Sequence, residues 1–258
     1  MATQIHPQAI VSPSAQLDEG VKVGPCAVIE ENVKIGALTV IEAGAQVLGY
    51  TQIGKNCRIF PYAVVGSIPQ DLKYKEEKSY LVIGDNNRIR EFTTINPGTE
   101  RDSKTVLGNN NLLMAYSHIA HDCKIGDDNI LANNATLAGY VELGNKVVVG
   151  GLVAVHQFCR LGSFSIAGGC SKVVQDIPPY SMCDGHPAKV RGVNLVGLRR
   201  AKFDQDVINA LKKAFKIIFF ENHSFDEASK LAKENLPHLE EIENLLQFIS
   251  SSKRGIGK

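Results

Sequence analysis

The six residues 118–123 read "HIAHDC", placing two histidines, an aspartate and a cysteine together. Side chains of these types can ligate zinc. A histidine beside a carboxylate is also the material of a general base with its orienting partner. A further histidine, His156, is followed by the carboxamide of Gln157. No GxGxxG, no Walker loop and no Ser-centred nucleophile elbow occurs in the chain. Which chemistry is available depends on which of these side chains point outward and which stand beside one another.

A period of six residues answers the first question. Stepping by six from Ile5 to Val173 visits 29 positions, of which 25 are Ile, Val or Leu. The charged interruptions Asp71, Glu77 and Arg101 mark inserted loops near 71–82 and 101–106. Four residues after each aliphatic lies a smaller one, as at Ala9, Ala15, Ala27, Ala45, Cys57, Ala63, Cys123, Ala135 and Cys159. One large and one small inward residue per short strand fill a narrow interior. Gly and Asn recur at the turns, where they tolerate the left-handed backbone conformation. Three strands make one coil of about 18 residues, so the expected fold is an all-β solenoid, a triangular parallel β-helix. The repeats amount to about eight or nine coils, in a prism ~40 Å long. Asn111 and Asn129, one coil apart, are expected to stack as an internal amide ladder.

This register divides the opening motif. Cys123 falls in the small inward column and is expected to be core filler. His121 is a third-position residue at a corner, and His118 is a sixth-position residue facing out. One coil after His121 comes Gly139, and one coil later Gln157, so the three share a corner within ~10 Å along the axis. Such a strip suits acyl transfer. An imidazole takes a proton from a hydroxyl nucleophile, and a backbone N–H stabilises the oxyanion. Gly139 would let a thioester carbonyl approach closely, although a plain turn glycine fits the stacking equally well. Asp122 is a candidate to orient His121, although adjacent side chains diverge in a strand. The rival is a zinc site built from His118, His121 and His156. His121 and His156 lie almost two coils apart, which is long for one ion unless two subunits share it, so no metal is expected.

After residues 176–180 the period ends. Residues 203–220 read as an amphipathic helix. Ser224 and Glu227 have capping-box spacing for a second helix, and Pro237 suits the opening of a third. The domains expected are a β-helix over 1–190 and an α-helical domain over 191–258 that caps the open end of the prism. Residues 172–216 hold nine Lys/Arg against four Asp, whereas the whole chain carries +1. A solvated helix face, an acidic partner or a phosphate group accounts for that excess. The overall charge gives no reason to expect nucleic acid. No apolar run approaches the roughly 20 residues of a membrane span. The six cysteines form no CxxC pair, and the N-terminal stretch has no signal-peptide pattern. Free thiols and a cytoplasmic location are therefore expected.

The repeat pattern resembles the hexapeptide-repeat family, which implies that the β-helix is left-handed. The stretches "PQDLKY" (69–74), "HIAHDC" (118–123), "ILANNATLAG" (130–139), "AVHQFCRLG" (154–162), "GGCSKVVQDIPPY" (168–180) and "GVNLVGLRR" (192–200) are more specific. They resemble the cytoplasmic UDP-N-acetylglucosamine O-acyltransferases that begin lipid A biosynthesis, and the resemblance runs nearly end to end. It implies a homotrimer with active sites between neighbouring prisms. The activity implied is transfer of a fatty acyl chain, usually 3-hydroxylated, from acyl carrier protein to the glucosamine 3-hydroxyl. The acyl donor rides on the carrier's phosphopantetheine, and no separate cofactor is implied. Carried over by position, His121 matches the general base and Gly139 the oxyanion amide. Asp71 and Lys73 match sugar-nucleotide contacts, and His118, His156 and Gln157 match substrate contacts along the same groove. Asn194 and Arg200 match nucleotide contacts, and Gly169 a position that limits acyl length, where glycine implies a long chain. The sequence departs at Tyr140, where the family often carries histidine, and at Val196 and Ala201, where some members carry polar or charged nucleotide contacts. The alternatives are a related hexapeptide acyltransferase, such as the N-acyltransferase of the same pathway, or a zinc-dependent hydratase on the same fold.

Overall fold

The structure, a computed structural model, describes residues 2–257. Its strands are mostly two residues long and all pair in parallel up to residue 185. Three sheets result, one for each face of a triangular prism. Partners lie one coil apart, as in Gln4↔Lys22 and Ile5↔Val23. One face stacks ten parallel strands, from Gln4–Ile5 to Ser181–Gly185. That is more than the eight or nine coils expected, because the last rung no longer keeps the hexapeptide period.

The large and small inward columns are both buried, with Ile59, Ile95, Ile119, Ala63, Ala135 and Cys123 fully enclosed. The N-terminal coil is the exception, with Ile5 exposed and Val11 only half-buried where no earlier coil covers them. The fourth residue of the repeat adopts positive φ at corner after corner, in Asn32, Asn56, Asn110, Asp122 and Asn134, but also in Tyr62, Phe92, Tyr140 and Phe158. Turn-favouring residue types are thus only part of the rule. The stacked coils impose the left-handed conformation on aromatic side chains as well.

Side chains tie the coils together inside and at one corner. The expected ladder forms between the side-chain amides of Asn87 and Asn111, while Asn129 joins it only through its backbone N–H, its own Nδ2 being buried without a partner among the described residues. Asn111 Nδ2 donates to Asn87 Oδ1 at 3.0 Å, and Asn129 N–H donates to Asn111 Oδ1 at 2.9 Å. At one corner the third-position N–H of each coil donates to a side chain of the next. The series runs Lys55 to Asp85, Asp85 to Asn109, Asn109 to Asp127, Asp127 to Asn145 and Asn145 to Ser163, at 2.6–3.0 Å.

Two strandless segments break the rhythm, after Val64–Val65 and after Thr94–Ile95. Asn96 anchors the first by donating from Nδ2 to the carbonyls of Ser67 (3.0 Å) and Ile68 (3.3 Å). The two segments are also joined, since Arg101 N–H donates to Glu77 and Asp102 N–H to the Lys78 carbonyl.

Beyond the prism, Ser181–Gly185 turns back through an antiparallel strand, Ala188–Val193. Four α-helices follow: α1 (Leu195–Arg200), α2 (Gln205–Phe215), α3 (Phe225–Asn235) and α4 (Glu240–Ser250). A π-helical turn, Lys216–Phe220, extends α2. Ser224 caps α3 with the reciprocal bonds of a capping box. Pro237 does not open the last helix, whose N-cap is Leu239. The C-terminal tail returns to the prism, where Ser252 Oγ donates to Asp176 Oδ2 and Asp176 pairs with Ile256.

Candidate active site

His121 occupies a corner between two faces, and its neighbour Asp122 has φ +59°. In an extended strand adjacent side chains point apart. The left-handed turn instead swings the Asp122 carboxylate round to the imidazole, with Oδ2 2.9 Å from His121 Nδ1. A carboxylate only accepts, so Nδ1 carries a proton, and in the neutral imidazole the lone pair then lies on Nε2. Nε2 faces Asp71 in the first strandless segment, 3.7 Å from its Oδ2. That distance is too long for a hydrogen bond and leaves Nε2 available. Asp71 is itself held by a bond from Lys73 N–H to its Oδ1 at 2.8 Å.

Gly139, one coil on, lies against the imidazole. A Cβ there would come within 2.6 Å of His121 Nε2 and 3.0 Å of Nδ1. The space a side chain would need is therefore taken by the ring itself, and not held open for a substrate carbonyl. Among the described residues the Gly139 N–H has no acceptor, while its carbonyl accepts from Phe158 N–H. Third-position amides at the laddered corner are capped by the next coil's Asx or Ser side chain; this one is open.

The cleft in front of Nε2 has a volume of about 640 Å³. Asp71, Lys73, His121 and Gln157 line it, together with Tyr140 and Phe158. Tyr140 and Phe158 stack with centroids 4.9 Å apart, and His121 meets Tyr140 edge-on at 5.4 Å. Phe158 is one coil after Tyr140, so the period could have flagged it as part of the wall. Thr99 and Lys75 also line the cleft, but they lie in strandless segments where the period carries no signal.

The remaining expected site residues stand apart from this cleft within one chain. His118 faces out beside it, with Nδ1 2.7 Å from Thr94 Oγ1. Burial, and then neighbouring His121, hold its pKa below the ordinary 6.5. His156 is exposed, with Nδ1 3.2 Å from an Arg254 guanidinium nitrogen. Gly169 packs on Gly151, at the opposite edge of the face that carries His118–Ile119, Thr136–Leu137 and Ala154–Val155. Asn194 caps α1, accepting from Gly197 N–H at 3.0 Å and donating to the Phe164 carbonyl at 2.8 Å. Arg200 is exposed at the end of α1. Cys123 is buried, its thiol pushed up to about 12 chiefly by desolvation, so it supplies neither nucleophile nor ligand. The three outward histidines each have one ring nitrogen beside a different partner, Thr94, Asp122 and Arg254.

Comparison with known proteins shows the family. Residues 176–257 match the family described as UDP-N-acetylglucosamine O-acyltransferase, domain 2, and residues 104–139 match the bacterial transferase hexapeptide family. The acyl-[acyl-carrier-protein]–UDP-N-acetylglucosamine O-acyltransferase of Burkholderia lata is 47% identical, covering 98% of this chain and 99% of the relative. The solved structure of LpxA from Acinetobacter baumannii superposes with a TM-score of 0.95 at 42% identity, covering 98% of this chain and 99% of the other. That of the UDP-N-acetylglucosamine acyltransferase from Campylobacter jejuni gives 0.93 at 45%, with the same coverage.

Proposed function

The chain belongs to the UDP-N-acetylglucosamine O-acyltransferase family, and on that footing we propose that His121 and Gly139 carry out its acyl transfer. The enzyme moves a fatty acyl chain from acyl carrier protein to the 3-hydroxyl of UDP-N-acetylglucosamine, the first step of lipid A biosynthesis. One observation carries the assignment: Asp122 ties up Nδ1 of His121, so that Nε2 faces the cleft beside Gly139, whose N–H has no acceptor among the described residues.

The reaction follows from those atoms. Nε2 accepts the proton of the sugar 3-hydroxyl as its oxygen attacks the thioester carbonyl. The carbonyl oxygen takes up the negative charge and accepts a hydrogen bond from Gly139 N–H. Collapse breaks the carbon–sulfur bond, and the imidazolium returns its proton to the departing thiolate of the phosphopantetheine. The negative Asp122 stabilises the transient imidazolium without itself being protonated. Lys73 and Lys75 place positive charge at the mouth of the cleft, which suits the diphosphate of the nucleotide. The basic excess over residues 172–216 suits an acidic carrier protein.

A homotrimer is part of the same proposal. His118, His156, Gly169, Asn194 and Arg200 lie outside the cleft of a single chain, and a second prism laid along it would bring such residues within reach of one substrate. The edge that carries Gly169 is also apolar. Tyr62, Phe92 and Tyr116 stack along it at 5.6 and 4.9 Å, with Tyr62 and Tyr116 more than half exposed. Exposed apolar stripes of this kind mark association surfaces. Among the described residues no helix is long and apolar enough to cross a membrane, and we place the enzyme in the cytoplasm with its carrier-protein substrate.

The test is direct. UDP-N-acetylglucosamine is incubated with carrier-protein thioesters of graded chain length and the products are weighed by mass spectrometry. A singly O-acylated sugar nucleotide with a long chain is expected, and a preference for short chains would remove the role given to Gly169. His121→Ala should lose turnover by roughly 10²- to 10⁴-fold with its fold intact. A variant with near wild-type rate would remove His121 from the chemistry.

A further inference from the structure

Thr99 lies in the second strandless segment, 23 positions before Asp122, yet makes two hydrogen bonds to its carboxylate. The Thr99 hydroxyl donates to Asp122 Oδ2 at 2.7 Å, and the Thr99 backbone N–H donates to the same oxygen at 3.1 Å. That oxygen is also the one that accepts from His121 Nδ1 at 2.9 Å. The carboxylate is nearly enclosed, with a side chain 7% exposed. The hydroxyl bond is short, as expected of a donor to an ionised acceptor.

We infer that Thr99 is a positioning residue for the acyl transfer, acting through Asp122 on the imidazole of His121. The inference rests on the reading of His121 as the base. A carboxylate has rotational freedom about its last torsion, and one contact to His121 would not set its plane. Two donors from one residue set it. The Thr99 backbone is in turn fixed from both sides. Gly98 N–H donates to the Tyr80 carbonyl at 3.3 Å, and Glu100 N–H donates to Ser103 Oγ at 3.0 Å. The segment is thus held as a rigid arm whose hydroxyl reaches the corner. Tyr140 Oη, 3.4 Å from Thr99 Oγ1, closes the group on the cleft side. The chain Thr99, Asp122, His121 then fixes where Nε2 sits relative to Gly139 N–H. Such geometry governs the rate of the step more than the binding of substrate.

A purely structural role would also leave Thr99 bonded to a buried carboxylate, so the measurements must separate the two. Thr99→Val keeps size and backbone N–H and removes the hydroxyl, whereas Thr99→Ser keeps the hydroxyl. Transfer from an acyl carrier protein thioester to UDP-N-acetylglucosamine is measured for each in the full-length protein, alone and with Asp122→Asn. Thr99→Val should lower kcat by roughly tenfold or more, the value of one hydrogen bond to a charged group. Its KM for the sugar nucleotide should stay within about twofold. Thr99→Ser should recover most of the rate. In the Asp122→Asn background Thr99→Val should change kcat by less than about twofold, because its route to His121 is already broken. If Thr99→Val does not fold, Thr99→Ala is read against Thr99→Ser in the same way. A near wild-type kcat in Thr99→Val would overturn the inference. So would failure of Thr99→Ser to recover the rate, or an equal loss in the Asp122→Asn background. An active His121→Ala would instead overturn the functional reading beneath it.

Discussion

His121 and His118 are three residues apart and face the same solvent, but their environments give them opposite tasks. His121 has a carboxylate on Nδ1 and an open cleft at Nε2. His118 has a hydroxyl on Nδ1 and is held below its ordinary pKa by burial and by His121, so at neutral pH it is an uncharged hydrogen-bonding group. The depressed pKa sets a sign. The unfolded chain binds this proton from about pH 6.5 downward, while the folded chain still refuses it. Stability should therefore fall as pH drops through that window, levelling off only where the folded imidazole also titrates. Thermal melting of wild type and His118→Asn between pH 8 and 5 checks this. The variant should show the shallower loss, and identical slopes would refute the assignment. At this scale the direction of each side chain was legible from the six-residue register. The Asp122–His121 contact was legible only as a candidate, because spacing alone does not say that a left-handed φ at the corner turns two adjacent side chains together.

Among the elements, the helical segment shows where local signals suffice. Ser224 and Glu227 announce a capping box and form one, with Glu227 N–H donating to Ser224 Oγ at 3.2 Å and Ser224 N–H donating to Glu227 Oε2 at 2.9 Å. Ser224→Ala should cost about 1 kcal/mol, read as a lower midpoint in denaturant with activity retained. A midpoint equal to wild type would mean that α3 is held by packing alone. Pro237 misleads because proline at a helix start is only compatible with the position and does not require it. The chain stays extended through Leu239, and α4 begins on its acidic first turn. Helix α1 escaped notice because it has six residues, too few to display a helical period. Its cap, Asn194, is engaged on both amide atoms within its own chain, so any nucleotide contact there must share those atoms.

For the whole molecule, the decisive prediction is assembly. In solution three copies of the 28.0 kDa chain should sediment together. Phe92→Asp, at a position whose φ of +58° aspartate tolerates, should dissociate them and abolish transfer together. Sedimentation velocity with a parallel assay decides it, and a fully active trimeric variant would exclude that edge from the interface. What the sequence determined by itself was the β-helix, the inward or outward sense of nearly every residue, and the corner shared by His121, Gly139 and Gln157. These follow from a repeat in which six residues make one strand and one turn, so that local spacing and spatial stacking are the same information. Tertiary structure alone decided what occupies that corner. Asp71 and Thr99 arrive from segments outside the repeat, where separation along the chain says nothing of distance. Among the described residues no side chain of the next coil reaches the Gly139 N–H, unlike the third-position N–H groups at the laddered corner. The Asp122 carboxylate turns onto its neighbour because the stacked coils hold it in a backbone conformation it would seldom adopt alone.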